Sequence, residues 1–540
     1  MGSGPNGLVA ANILADHGWS VEVLEAAAEP GGAVRSGELT LPGFVHDRFS
    51  SFYPLAAASP AIGALQLERH GLRWRRHPVA VAHPRRDGSV AYIARDLEET
   101  VACMESFAPG DGAAWRGLMQ RWDQIGEHVI DALFTPMPPL RPALAIAAKL
   151  RYTGLLDFAR FALLPVRRLA DEEFRGDGGA RMIAGNALHA DFAPEQPGGA
   201  VFGWLLASLA QTVGFPVPEG GSGALTAALV TRLRSRGGVV RCGARVIAIE
   251  VLRGRAVGVR THDGDAVVAR RAVLAGCSAP QLYLELLARR DVPAAVLRAI
   301  ERFQWDFSTF KVDFALDGPI PWLHPETARA GTVHVAEGID ALTRAMSSIA
   351  LREVPAEPFL IAGQYARADP TRMPAGKEVF WAYTHLPRRI DGDAGRDGLT
   401  ADWATGNRER FADRVAAQVE AVAPGFSARV LARHITTPQE LEAQNANLVG
   451  GALNGGTAQL HQELVLRPIP GLGRSETPVA GLHLASASAH PSGGVHGACG
   501  ANAARAALRQ RGVLARASAG AARRLSGRRD RPRPSALSAG

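Results

Sequence analysis

Gly2-Ser3-Gly4-Pro5-Asn6-Gly7 stands ahead of residues 8–17, where Leu8, Ala11, Ile13 and Leu14 keep helical spacing; Ser20-Val21-Glu22-Val23-Leu24-Glu25 follows. Read together, these pieces are a glycine turn, a helix and a strand. In the G-x-G-x-x-G pattern Gly2 makes the tight turn, Gly4 lets a pyrophosphate approach the backbone, and Gly7 lets helix and strand pack closely. The helix that follows aims unpaired N–H groups and its positive dipole end at phosphate. Gly18 is placed to end it. Residues 20–25 alternate as a strand does. Glu25, eighteen residues past Gly7, can accept ribose hydroxyls and repels a 2′-phosphate. The expected fold is therefore α/β, with a Rossmann-type nucleotide domain.

Two later stretches repeat α/β character. In 215–290, a helix is expected over 224–234 and a turn at Gly237-Gly238. Strands are expected over 245–252, 256–260, 266–268 and 271–275, with a hairpin at His262-Asp263-Gly264-Asp265. Near the carboxyl end, a strand over 482–489 leads through glycines to a helix over about 498–509. Residues 100–215 read as helical and 305–390 as mixed. Thr437-Pro438-Gln439-Glu440 is a capping box with Pro at the first helical position. The expected division is α/β nucleotide-binding pieces in 1–75, 215–290 and 446–508. A helical cap takes 76–214, a mixed-sheet substrate domain takes 291–445, and a basic, disordered tail takes 509–540.

The 540 residues are 47% apolar and 21% charged, which excludes a mostly disordered chain, a collagen and a coiled coil. The net charge of +8 lies in 509–540, where nine Arg face one Asp. The body is formally neutral, so no nucleic-acid partner is expected. The tail reads as a solvated extension, with contact to an anionic lipid or nucleic acid as its alternative. Cys103, Cys242, Cys277 and Cys499 are far apart, which argues against disulfides, a zinc site and a dithiol centre. No metal is expected. The uncharged stretch 196–218 holds three Pro and four Gly, so it suits a buried channel segment, or a patch dipping into a membrane face, better than a span. A cytoplasmic protein is expected, with peripheral membrane contact as the alternative and a mitochondrial address if the source is eukaryotic.

Glu29-Pro30-Gly31-Gly32-Ala33-Val34-Arg35-Ser36 adds a second glycine pair just past the ribose acid. Here the chain resembles the FAD-dependent phytoene desaturase and amine oxidase superfamily, nearest its pyridine nucleotide-disulfide oxidoreductase domain-containing members. The resemblance runs from residue 1 to about 508. It is carried further by Pro218-Glu219-Gly220-Gly221-Ser222-Gly223, Phe310-Lys311-Val312-Asp313, Trp381-Ala382-Tyr383-Thr384-His385, Asn445-Ala446-Asn447-Leu448 and His490-Pro491-Ser492-Gly493-Gly494-Val495. It implies FAD threaded through three separated segments. Gly2, Gly4, Pro5, Asn6, Gly7, Glu25, Ala26, Gly31, Gly32, Ala33 and Arg35 would hold the AMP and pyrophosphate. Val246 would meet the adenine through its backbone, and Gly493, Gly494 and Val495 would lie under the isoalloxazine. The implied reaction is hydride transfer from a hydrophobic, polyene- or lipid-like substrate to FAD, with oxygen or a quinone as electron acceptor. An amine oxidase and a non-catalytic flavin-fold regulator are the alternatives.

Several residues depart from the family pattern. Ala33 follows the glycine pair where amine oxidases have Arg, and Arg35 comes two places later. No acid stands near Ser486-Ala487. No C-x₄-C dithiol and no second nucleotide motif occur. A Rossmann unit also needs an apolar strand ahead of its glycine turn, and only Met1 is there. Losing about five buried strand residues, at roughly 1.5–3 kcal/mol each, would forfeit as much as a domain's stability. The expectation is a chain that extends upstream, and weak folding or FAD binding without that extension. Lys311 and His490 are the catalytic candidates, Lys311 near the flavin N5 by resemblance and His490 as a proton shuttle. Trp381, Tyr383 and His385 share one strand face and could line a channel. Cys499, near a helix start, is a candidate thiolate.

Overall fold

The computed structural model describes residues 1–510. Helix Pro5–Asp16 follows the glycine turn, with Pro at its first position and no side-chain cap. Strand Glu22–Leu24 then pairs in parallel with Val239–Arg241, which follows helix Gly223–Ser235. A three-stranded antiparallel meander, Val246–Leu252, Arg255–Thr261 and Ala266–Val268, covers this unit. Strand Val273–Ala275 pairs in parallel with Leu482–Leu484. The strand expected over 482–489 is therefore shorter, because Ser486-Ala487-Ser488 turn toward a neighbouring loop. The final helix begins at 498 and is described to 510; the expected tail lies otherwise outside the described residues.

The nucleotide domain thus holds two strand pairs with a narrow gap between them. Met1 and Gly2 occupy that gap. The Met1 ammonium donates to Leu274 O at 2.9 Å, Gly276 N–H to Met1 O at 2.8 Å, and Gly2 N–H to Leu24 O at 2.7 Å. These two residues join the two strand pairs.

The larger sheet has seven strands in the order Val430–Thr436, Ser308–Leu316, Glu378–Leu386, Leu360–Gln364, Ala330–Val335, Val79–Pro84, Val90–Ala94. Only Ala330–Val335 and Val79–Pro84 run parallel. The last two strands fall in the stretch assigned above to the helical cap. Their continuous apolar burial comes from coverage on both faces, which hides the alternation of a half-exposed strand. The cap proper begins at helix Leu97–Glu105 and includes the long helices Asp111–Phe134, Leu140–Leu163 and Gly199–Thr212.

Register decides what each sheet face does. Thr309 lies opposite His385, Lys311 opposite Tyr383, and Asp313 opposite Trp381; Tyr383 in turn faces Ile361. All of these side chains point to the cap side. The alternate residues Phe310, Val312, Phe314, Phe380 and Ala382 point the other way and pack on Phe411, Val415, Val419 and Phe426. Period-two patterning thus gives a mixed polar–aromatic floor on one side and an apolar core on the other.

Candidate active site

One cavity of about 920 Å³ runs from the glycine turn, past the meander, to the floor of the large sheet. That is the size range of cofactor and ligand pockets. Met1, Gly2, Gly4, Pro5, Asn6 and Gly7 line its first end, with Glu25, Ala26, Gly32, Ala33 and Arg35 beside them. Val246 comes from the meander, and Gly493, Gly494 and Val495 from the turn before the last helix. Three stretches separated by more than two hundred residues therefore share one wall. Gly31 is buried behind that wall, its N–H bonded to Ser3 O at 3.1 Å.

The glycines are dictated by contact. Gly2 has φ +83°, in the region that favours glycine. A Cβ on Gly7 would sit 2.1 Å from Gly2 O, so no side chain fits between helix and turn. Gly500 does the same for the last helix, where a Cβ would meet Asn6 O at 1.8 Å. Two helix amino termini are thereby brought side by side at the cavity.

Glu25 is positioned by three donors. Its carboxylate accepts Ser3 N–H and Ser3 O–H, both at 2.7 Å, and Ala27 N–H at 2.9 Å. Arg35 donates to Gly32 O at 3.0 Å and to Gln444 O at 2.8 Å, and its guanidinium lies over Phe49. It ties the second glycine pair to the end of helix Pro438–Gln444. Asn447 does comparable work, accepting Ser278 N–H at 3.0 Å and donating to Gly276 O at 2.9 Å.

At the other end the floor carries Thr309, Lys311, Ile361, Trp381, Tyr383 and His385, and the cap contributes Phe202, Leu205, Leu206 and Phe215. The three alternating residues Trp381, Tyr383 and His385 do line a channel. Lys311 is buried rather than at a wet strand edge. Its ammonium donates to Asp47 O at 3.0 Å and to the Asp313 carboxylate. Burial alone would raise the Asp313 pKa, but Lys311 and His46 hold it below the usual carboxylate range.

His490 does not line the cavity. Its Nε2 lies 3.2 Å from Thr135 O in the cap, and burial lowers its pKa to about 4, so it braces the turn as a neutral ring. The proton-shuttle expectation for His490 is corrected accordingly. The histidine of this turn that reaches the wall is His496, six residues on, whose Nδ1 accepts Ala498 N–H at 3.0 Å at the start of the last helix. Cys499 is fully buried, and burial pushes its thiol up to about 12, so it is no ready thiolate.

Sequence reading missed two carboxyls. Asp191 sits in the cavity wall at φ +63°, accepting Phe307 N–H at 3.0 Å, with His385 Nδ1 3.4 Å from its other oxygen. Asp306 accepts the N–H groups of Leu453, Asn454 and Gly456. Burial raises both pKa values, Asp191 well above the ordinary range with Asp306 adding to it. His385 Nε2 faces Leu188 O at 3.1 Å, and burial lowers its pKa to about 4. The left-handed backbone at Asp191 is the one local signal, and it is invisible in a string of letters.

A family model described as flavin containing amine oxidoreductase matches residues 6–379. The chain belongs to that family. The mouse pyridine nucleotide-disulfide oxidoreductase domain-containing protein 2 is 28% identical, with 94% of this chain and 92% of that protein covered. Hydroxyneurosporene desaturase of Cereibacter sphaeroides is 27% identical over 92% and 93% of the two chains. Among solved structures, an oxidoreductase from Methanosarcina mazei superposes with a TM-score of 0.58 at 16% identity, covering 94% of this chain and 98% of that one. Cyclohexylamine oxidase from Brevibacterium oxydans does so with 0.55 at 16%, covering 94% and 98%. The shared fold is that of flavin oxidoreductases, and this member is an FAD-dependent oxidoreductase.

The residues present fit FAD. Asn6 and Gly7 N–H lie in the first helical turn without a capping side chain, and Asn6 Oδ1 is buried without a partner on the cavity wall. Glu25 keeps lone pairs for ribose hydroxyls. The last helix puts its amino terminus behind Gly493-Gly494-Val495, where negative charge on a reduced ring would be favoured.

Proposed function

We propose that this oxidoreductase takes a hydride and a proton from a hydrophobic substrate, polyene- or lipid-like, and leaves a new double bond. The observation that supports it is the cavity's far end, where Phe202, Leu205, Leu206, Phe215, Ile361 and Trp381 supply an apolar wall across from the polar group of Lys311, Asp191 and His385. The phytoene desaturase of Cereibacter sphaeroides, 22% identical over 97% of each chain, supports the same class. FAD supplies two-electron acceptance here, with oxygen or a quinone as the proposed final acceptor.

The chain's own residues do the rest. The floor and the cap hold the substrate and exclude water, which strengthens each polar contact inside. Lys311 is held on the floor by Asp47 O and the Asp313 carboxylate, so it positions the end of strand Val45–Asp47 and keeps a positive charge beside the site. Asp191 and His385 form a titratable pair on the floor: Asp191 holds its proton, and the neutral His385 ring beside it is the member that can receive the substrate proton.

A second reading is an amine substrate. The Asp191–Asp306 carboxyl pair favours it, because a bound ammonium would relieve their mutual repulsion. Anaerobic bleaching of the bound flavin separates the two. Bleaching by an acyclic polyene dispersed in detergent, with no response to alkyl amines, is the expected result; the reverse pattern would replace the desaturase reading with the amine one.

A further inference from the structure

Helix Leu140–Leu163 leaves most of its surface uncovered: of its 24 residues only Ile146 and Phe161 are buried. Six large apolar side chains, Leu140, Leu144, Tyr152, Leu155, Leu156 and Leu163, are 37–76% exposed. Arg151, at φ 59°, breaks the helix into two halves. On each side the exposed residues recur at fours: Leu140 and Leu144 before the break, then Tyr152 with Leu156, and Leu155 with Ala159 and Leu163. Four-residue spacing puts them on one face of each half. Arg141, Lys149, Arg151 and Arg160 stand among them against one acid, Asp157, a helix charge of +3; Arg160 is paired with Glu172 of the next helix at 2.5 and 2.8 Å, which leaves Arg141, Lys149 and Arg151 as the unpaired cations.

The other side of the same helix leads to the cavity. Phe161 packs edge-on against Trp204 at 5.4 Å. Trp204 belongs to helix Gly199–Thr212, which also carries Phe202, Leu205 and Leu206 of the cavity wall. That helix corresponds to the uncharged stretch read above as channel or membrane patch; it is the buried channel lining. Among the described residues no helix is long and apolar enough to cross a membrane.

We propose that the exposed face of helix Leu140–Leu163 docks the enzyme on an anionic lipid bilayer. Leucines and a tyrosine framed by Arg and Lys are what an interfacial helix presents: apolar side chains enter the acyl boundary while the cations meet lipid phosphates. Arg141, Lys149 and Arg151 have no carboxylate partner among the described residues, so even with Asp157 the uncompensated charge beside the patch is positive, which an anionic surface answers and a neutral protein face does not. The use of this dock, passing an apolar substrate from bilayer to cavity through one helical layer, rests on the desaturase reading; the docking itself does not.

The test is flotation of the full, FAD-loaded chain with phosphatidylcholine vesicles, with and without phosphatidylserine. It compares wild type with the double variant Leu144→Glu/Leu156→Glu. Both carry the Arg-rich residues 511–540, so their difference reports the helix; a chain ending at Gln510 is the second measurement. Expected is flotation with the anionic vesicles only, weakened about tenfold or more by the double variant and retained by the shortened chain. Equal flotation of variant and wild type would overturn the proposal, as would binding that disappears with 511–540. A concentration-dependent dimer abolished by the same substitutions would instead assign the face to a second copy. Unchanged flavin bleaching by detergent-dispersed polyene in the double variant shows that the active site is intact. It also separates failure of the dock from failure of the desaturase reading.

Discussion

Glu25 shows what a single side chain is asked to do. Ser3 and Ala27 already orient its carboxylate, so replacing it removes a charged acceptor from a prepared position. Charge-assisted hydrogen bonds contribute about 1.5–3 kcal/mol. Glu25→Gln should therefore weaken FAD binding roughly ten- to a hundredfold, read by titrating the apoprotein and following flavin fluorescence. Asp191 carries a different prediction. Burial and Asp306 keep it protonated above the pH at which the unfolded chain releases that proton, about 4. The native state then binds more protons than the unfolded state, and stability falls as pH rises. Asp191→Asn keeps an oxygen to accept Phe307 N–H and removes the titration. Its Tm advantage over wild type should grow from pH 5 to pH 8; a constant difference would show an ionised Asp191. Flavin reduction by a substrate whose proton the neutral His385 ring receives should slow in His385→Gln by the 10²–10⁴-fold typical of a general base.

At the scale of elements, the gap between Glu22–Leu24 and Val273–Ala275 is the exposed weakness. Both strands present ladder groups toward it, and Met1 and Gly2 satisfy only the end nearest the glycine turn. An apolar, β-branched pentapeptide fused ahead of Met1 would continue between them. Each fully buried side chain adds about 1.5–3 kcal/mol, so a Tm rise of several degrees is expected by calorimetry, with tighter retention of FAD. A pentapeptide of alternating Gly and Ser should do neither.

For the whole molecule, the cavity wall is assembled from chain segments that have no sequence continuity, so FAD ought to act as a stabilising ligand. At a hundredfold excess over Kd, binding to the native state alone adds about 2.7 kcal/mol. The Tm of apoprotein should therefore rise with the logarithm of added FAD. AMP, which reaches only the Glu25 end, should produce a smaller rise.

Much of this was legible in the letters because it rests on local chemistry. The glycine turn, helix Pro5–Asp16, the capping box at Thr437 and the hairpin after Thr261 follow from φ freedom, proline at the first helical turn and short-range hydrogen bonds. Trp381, Tyr383 and His385 shared a face because a strand's period is two. Strands Val79–Pro84 and Val90–Ala94 escaped because burial on both faces erases alternation. His490 and Asp191 were decided only in three dimensions. Which way a buried side chain turns depends on the donors, acceptors and charges that distant segments bring to it, Thr135 O for one and Asp306 with His385 for the other. By itself the sequence determined that a glycine turn able to cradle phosphate, and an acid at the spacing that suits a ribose, are present. The tertiary structure decided that they share one wall with the channel floor, since desolvation and Coulomb energy act through space and not along the chain.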